Sequence, residues 1–179
     1  GSMSVALAQS QPAPIEVRGL ARVVDGDTIV IAETRVRLEG VDAPETGQTC
    51  KRAWIGPFAG TWACGTAAAS ALAKLVENRE VVCAHKGWDK YNRFLGVCAV
   101  EGRDLNAEMV RAGLAWAFVK YSLAYVREEA EARDAKRGIW QAGGFPIEMP
   151  AISLAEPFQK PTTMLYRNLL AMETEELLR

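Results

Sequence analysis

Five short segments of alternating or apolar pattern, one helical segment between the third and fourth, and two helical segments after the fifth predict an α+β chain, mainly β. That order is the order of a five-stranded OB-fold barrel with one helix between strands 3 and 4 and two C-terminal helices. Residues 16–24 read as the first strand and Thr28-Ile29-Val30-Ile31 as its hairpin partner, with Gly26 where a bulge or tight turn is needed. Arg35-Val36-Arg37-Leu38 alternates charged with apolar residues, the mark of a half-buried strand with both arginines on one face. Residues 40–63 form a long loop rich in glycine and aromatics. Residues 64–77 then carry Ala67, Ala68, Ala71, Leu72, Leu75 and Val76 at helical spacing. Strands over 80–84 and 93–100 are joined by the Asp89–Arg93 turn. Asp104 is placed to cap a helix that Gly113 stops, and Ser122 to cap a last helix over 123–136 with Gly138 past its end.

With 179 residues and 49% hydrophobic composition, the chain can bury one core and no more. No apolar run is long enough to span a membrane, and no period repeats itself. The formal net charge of −1 excludes a binder that grips nucleic acid by a global positive field. Any phosphate must be held by local arginines and a bound cation.

Three regions are expected. Gly1-Ser2-Met3 reads as a cloning scar, and Ser4 to Gln9 as the remnant of an export signal with Ala6-Leu7-Ala8 as its small-x-small site; an ordinary Ala/Ser/Pro leader is the alternative for residues 1–14. Residues 15–140 form the folded domain. Residues 141–179 form a C-terminal extension, in which Leu165, Leu169, Met172 and Leu177 could line one face of an amphipathic helix. An even count of four cysteines in two local pairs, Cys50 with Cys64 and Cys83 with Cys98, suggests two disulfides and an oxidising compartment, secreted or periplasmic in a bacterium. Four buried free thiols are the alternative. Zinc is disfavoured, because no close Cys-Cys spacing occurs and His85 is the only histidine.

The chemistry lies in three short runs: Val23-Val24-Asp25-Gly26-Asp27-Thr28, then Arg37 to Asp42-Ala43-Pro44-Glu45, then Asp89-Lys90-Tyr91-Asn92-Arg93. They supply hard oxygen ligands for a divalent cation, a spare carboxylate for a water, and cations for a phosphate. An Asp-Gly-Asp run alone is as well explained as a turn; the second acidic cluster makes the difference. Arginine suits phosphate because its planar fork grips two oxygens and stays charged. In order and spacing the three runs resemble the thermonuclease, or staphylococcal-nuclease-like, family over about residues 16–140.

That resemblance implies a calcium ion held by Asp27, Asp42 and the main-chain carbonyl of Ala43, where the family often has threonine. It implies Glu45 as the residue that positions or deprotonates the attacking water, and Arg37 and Arg93 as cations on the phosphorane-like state. Asp25 resembles an outer acid near the metal, or only forms the turn. Tyr91 and its neighbour Lys90 would meet a nucleotide, with Arg35 assisting. A half-buried strand aromatic is the alternative for Tyr91. Asn92 replaces the family's glycine, and asparagine is the residue that best tolerates a left-handed turn. Lys51, Arg52, Trp54 and Trp62 could wall the substrate or merely fold a disulfide-closed loop. The implied activity is cleavage of DNA and RNA with little sequence preference, leaving 3′-phosphate ends. A non-catalytic nucleic-acid-binding module on the same barrel is the other reading, and an export-pathway protein recruiting a partner through 162–179 a third.

Overall fold

A computed structural model describes residues 15–52 and 60–142. Its long first strand, β1 (Glu16–Asp25), alternates exposed and part-buried residues over 16–23, so one side faces solvent and the other the core. It pairs antiparallel with β2 (Thr28–Ile31), through a bulge between Val23 and Asp25. β2 pairs in turn with β3 (Thr34–Leu38). The segment expected as one long loop contains three short pieces of strand: β4 (Val41–Asp42), β5 (Cys50–Lys51) and β6 (Thr61–Trp62). Each is too short to show a period of two. α1 (Cys64–Val76) follows and buries Ala68, Leu72 and Val76 on one stripe against β1.

β7 (Glu80–Trp88) and β8 (Phe94–Val100) form an antiparallel hairpin in which Cys83 lies directly opposite Cys98. β7 runs four residues beyond the expected 84, across a second irregularity between His85 and Gly87. β7 also pairs with β1, and β8 pairs parallel with β3, with Val36 opposite Phe94 and Arg37 opposite Leu95. That last pairing closes a mixed five-stranded barrel in the order β3-β2-β1-β7-β8. Ile29, Ile31, Val36, Leu38, Val81 and Leu72 fill it, all at most 1% exposed.

β9 (Arg103–Asp104) leads into α2 (Leu105–Arg111), where Asp104 accepts the Ala107 N–H at 3.0 Å as its cap. Gly113 ends that region at φ +69°. A side chain there would also strike the Arg137 carbonyl, 2.3 Å from its Cβ. β10 (Trp116–Ala117) pairs with β4. The last helix, α3 (Val126–Asp134), begins three residues later than expected and is not capped by Ser122. The Ser122 hydroxyl accepts the Ala124 N–H at 3.2 Å and shapes a turn instead. Tyr125, 4% exposed and with its hydroxyl 3.2 Å from Asp104 Oδ2, anchors the chain where the helix starts. A 3-10 turn (Gly138–Ala142) closes the described part.

Both disulfides are formed, Cys50–Cys64 and Cys83–Cys98. Among the described residues no helix is long and apolar enough to cross a membrane. The leader 1–14, Trp54 and the extension from 143 onward lie outside the described residues.

Candidate active site

The site begins where β1 turns into β2. Gly26 is required there by contact and not by a left-handed φ. A Cβ on it would stand 2.6 Å from the Ala68 Cβ and 2.8 Å from the Ala43 Cβ, so α1 and the β4 end both press on this peptide. The close approach carries Asp27, 3% exposed, beneath Ala43. Asp27 Oδ1 accepts the Thr28 hydroxyl at 2.9 Å, and Oδ2 accepts the Ala43 N–H at 3.0 Å. The Leu38 N–H reaches back to the Asp27 carbonyl at 2.8 Å. This buried carboxylate is thus tied both to the next residue, Thr28, and to the segment after β4 through Ala43.

Arg37 stands on β3 opposite Thr28 and bridges the two acidic runs. Its Nη1 lies 2.9 Å from Asp27 Oδ2, and its Nη2 donates to Asp42 Oδ1 at 2.7 Å. Asp42 is fixed from behind because β4 pairs with β10, Asp42 against Trp116. Asp25 joins through its Oδ1, which accepts the Asp27 N–H at 3.2 Å. Arg35, one turn of the strand pleat earlier on the same face as Arg37, is exposed.

Three carboxylates share one guanidinium, and their protonation shows the imbalance. Burial, then the Asp27 charge, pushes Asp25 up to about 7. Burial, then Asp27, pushes Asp42 up to about 6 against the pull of Arg37, with Glu45 adding to the rise. Burial pushes Asp27 up as well, but Arg37 and the hydrogen bonds around it outweigh that and leave it below the ordinary carboxylate range. Arg37 is held firmly charged: burial opposes it, and Asp27 and then Asp42 more than compensate. A cluster that resists carrying its full negative charge is one that a divalent cation would stabilise. Among the described residues no three acidic, histidine or cysteine side chains form a metal cage by themselves. A divalent cation that also takes main-chain carbonyls and waters needs no such cage, and Asp27 and Asp42, joined through Arg37, supply oxygen donors of the type it takes.

Glu45 follows the buried Pro44 on an exposed loop. Its N–H donates to Gln48 Oε1 at 2.7 Å, and its carbonyl accepts the Gln48 N–H at 2.8 Å. Arg93 is placed differently. Its Nε lies 2.5 Å from Asp89 Oδ2, and among the described residues it makes no ion pair with the Asp27–Asp42 cluster. The strand register puts it two residues before Leu95, the partner of Arg37. Asp89 Oδ1 accepts the N–H groups of Tyr91 and Arg93, and Asn92 holds φ +59°, so the turn is tightly specified. Burial raises Asp89, and these hydrogen bonds and the Arg93 charge bring it below its usual range. Tyr91 is 59% exposed, with Lys90 Nζ 4.8 Å and Arg93 Cζ 5.4 Å from its ring centre.

The loop residues divide. The Arg52 N–H donates to the Gly60 carbonyl at 2.8 Å and its Nε to the Thr61 carbonyl at 3.1 Å, so Arg52 folds its own hairpin. Trp62 packs with Cys50, Cys64, Trp116 and Ile139 in a small second core. Lys51 is exposed. Four contributors escaped the sequence reading: the Thr28 hydroxyl, the Ala43 N–H, Trp116 behind Asp42, and Gln48. None has a periodic signal, since each acts through a contact with a distant or irregular segment.

A closed five-stranded barrel thus carries a part-buried Asp27–Arg37–Asp42 bridge. The comparisons give this arrangement a family. The family described as staphylococcal nuclease homologue matches residues 35–142, more than half of the chain, and the chain belongs to that family of generally metal-dependent hydrolytic nucleases. A micrococcal nuclease of Shigella flexneri is 36% identical over 155 residues, covering 76% of this chain and 81% of its own. Succinoglycan biosynthesis protein ExoI of Rhizobium meliloti (strain 1021) is 38% identical over 127 residues, 69% of this chain and 64% of its own. A 6-deoxy-6-sulfo-D-gluconate dehydratase of Pseudomonas putida is 58% identical over 64 residues, 36% of this chain but 11% of its own. The chain therefore spans less than two thirds of the length of these last two relatives.

Proposed function

We propose that this protein is a calcium-dependent nuclease that hydrolyses phosphodiester bonds of DNA and RNA with little sequence preference and leaves 3′-phosphate ends. The observation that carries the reading is the Arg37 bridge, 2.9 Å from Asp27 and 2.7 Å from Asp42 beneath the Ala43 peptide. Asp27, Asp42 and the Ala43 carbonyl would hold the calcium, which supplies positive charge to the phosphoryl oxygens. Thr28 and the Ala43 N–H keep Asp27 ionised and aimed. Glu45 takes the proton of the attacking water. The Arg37 fork can shift its donors from the carboxylates to a phosphate whose negative charge grows toward the transition state, so it favours that state over the ground state. Arg93 adds a second cation when its Nη groups turn toward the same phosphate. The 5′ oxygen leaves, and the 3′ side keeps the phosphate.

Tyr91, Lys90 and Arg35 would hold the flanking strand by stacking and charge, neither of which reads base identity. Residues 15–140 form the nuclease unit in this reading, with 141–179 an accessory extension. Two buried disulfides support an extracellular or periplasmic setting. Digestion of single- and double-stranded DNA and of RNA, with calcium and with chelator, tests the proposal. Cleavage that survives chelation, or products that carry 5′-phosphate, would sink it.

A further inference from the structure

We propose that Gln48 is a positioning residue for Glu45, holding the loop backbone so that the Glu45 carboxylate faces the attacking water; this rests on the reading of Glu45 given above. Residues 45–47 are all exposed, yet Gln48 is only 7% exposed. Its two polar ends close on the same target. The side-chain Oε1 accepts the Glu45 N–H at 2.7 Å, and the main-chain N–H donates to the Glu45 carbonyl at 2.8 Å. Both peptide groups of Glu45 are therefore tied by one residue. A buried amide side chain spent on one loop N–H is well placed to fix a conformation.

The clamp is in turn fastened to the rigid body of the domain. The Gln48 carbonyl accepts the Gly65 N–H at 3.2 Å, in the first turn of α1. Gly65 has no room for a side chain, because a Cβ there would lie 1.7 Å from the Glu45 carbonyl oxygen. Two residues beyond Gln48, Cys50 is bonded to Cys64, the first residue of α1. Helix start, glutamine and disulfide thus enclose the Glu45 main chain, while the residue as a whole stays exposed. Small displacements of a reacting group lower rate steeply, so a clamp of this kind acts on turnover and not on metal affinity.

The test compares Gln48→Met, which keeps length but loses the acceptor, with Gln48→Glu, which keeps an acceptor oxygen. Turnover should fall about tenfold in Gln48→Met, while KM and the calcium Kd, titrated with the metal alone, stay at wild-type values; Gln48→Glu should recover most of the rate. Glu45→Gln is measured beside them. In the double variant Gln48→Met should add little to the loss from Glu45→Gln, since both act through one carboxylate. A Gln48→Met enzyme that cleaves at the wild-type rate, or whose loss multiplies with that of Glu45→Gln, overturns the positioning role and leaves Glu45 in place. A Glu45→Gln enzyme at wild-type rate removes the Glu45 reading and the positioning role with it. Should Gln48→Met not melt cooperatively, Gln48→Asn, one methylene too short to reach the Glu45 amide, decides by the same outcomes.

Discussion

Asp27, Arg37 and Asp42 stand on or beside strands whose hydrogen-bonded register places them, whereas Glu45 stands between β4 and β5 on a segment that no ladder holds. The barrel side is positioned by backbone pairing. The loop side is positioned by a glutamine, a glycine without room for a Cβ, and the Cys50–Cys64 bond. The two disulfides follow the same division: Cys83–Cys98 staples two barrel strands already paired, and Cys50–Cys64 fastens the loop to α1. Loss of Asp27 or Asp42 on the barrel side should therefore reach metal binding, and damage to the loop side should reach turnover alone.

The largest expected effect is on the barrel side. Asp42→Ala should abolish calcium binding and cleavage together, as calorimetry beside a single-turnover assay would show. Retained calcium affinity in that variant would break the assignment of Asp42 as a ligand. Arg93→Ala should leave calcium affinity unchanged and slow turnover about 100-fold, roughly 3 kcal/mol of transition-state stabilisation. A wild-type rate there would mean that the Arg93 guanidinium stays on Asp89 throughout the reaction.

The disulfides give a smaller and sharper contrast. Replacing Cys50 and Cys64 together by alanine should cost about 3 kcal/mol of stability and also slow the folded enzyme, with calcium binding intact. Replacing Cys83 and Cys98 together should cost about as much stability while the folded fraction cleaves at the wild-type rate. Denaturant melts paired with activity per folded molecule decide this, and equal kinetic losses in the two variants would erase the distinction. The smallest effect is expected from deleting residues 162–179, which hold no proposed site residue. Activity of that truncated protein within about twofold of the full chain would place the chemistry outside 162–179.

Much of this molecule is written in local pattern. The alternation in Arg35-Val36-Arg37-Leu38, the helical spacing from Ala67 to Val76 and the Asp104 cap all depend on neighbours a few residues away, and all are present as read. So is the left-handed Asn92. Cysteine pairing was legible because each pair lies close in sequence, with separations of 14 and 15 residues. Ser122 shows the limit. As an N-cap it is locally sound, but the buried Tyr125 ring and its bond to Asp104 set where α3 begins.

The residue types of the site, two acidic runs and two arginines on five strands and three helices, were determined by the sequence alone, because side-chain chemistry and short-range periodicity need no partner. Tertiary structure decided how those residues meet. The parallel β3–β8 pairing that closes the barrel joins segments about 58 residues apart, and the β4–β10 pairing that backs Asp42 joins segments farther apart still. The lack of room for a side chain at Gly26 and Gly65 is likewise a property of whatever packs against them. Contacts of that range carry no periodic mark in the chain, since they are chosen by the shape and polarity of the surfaces that folding brings together.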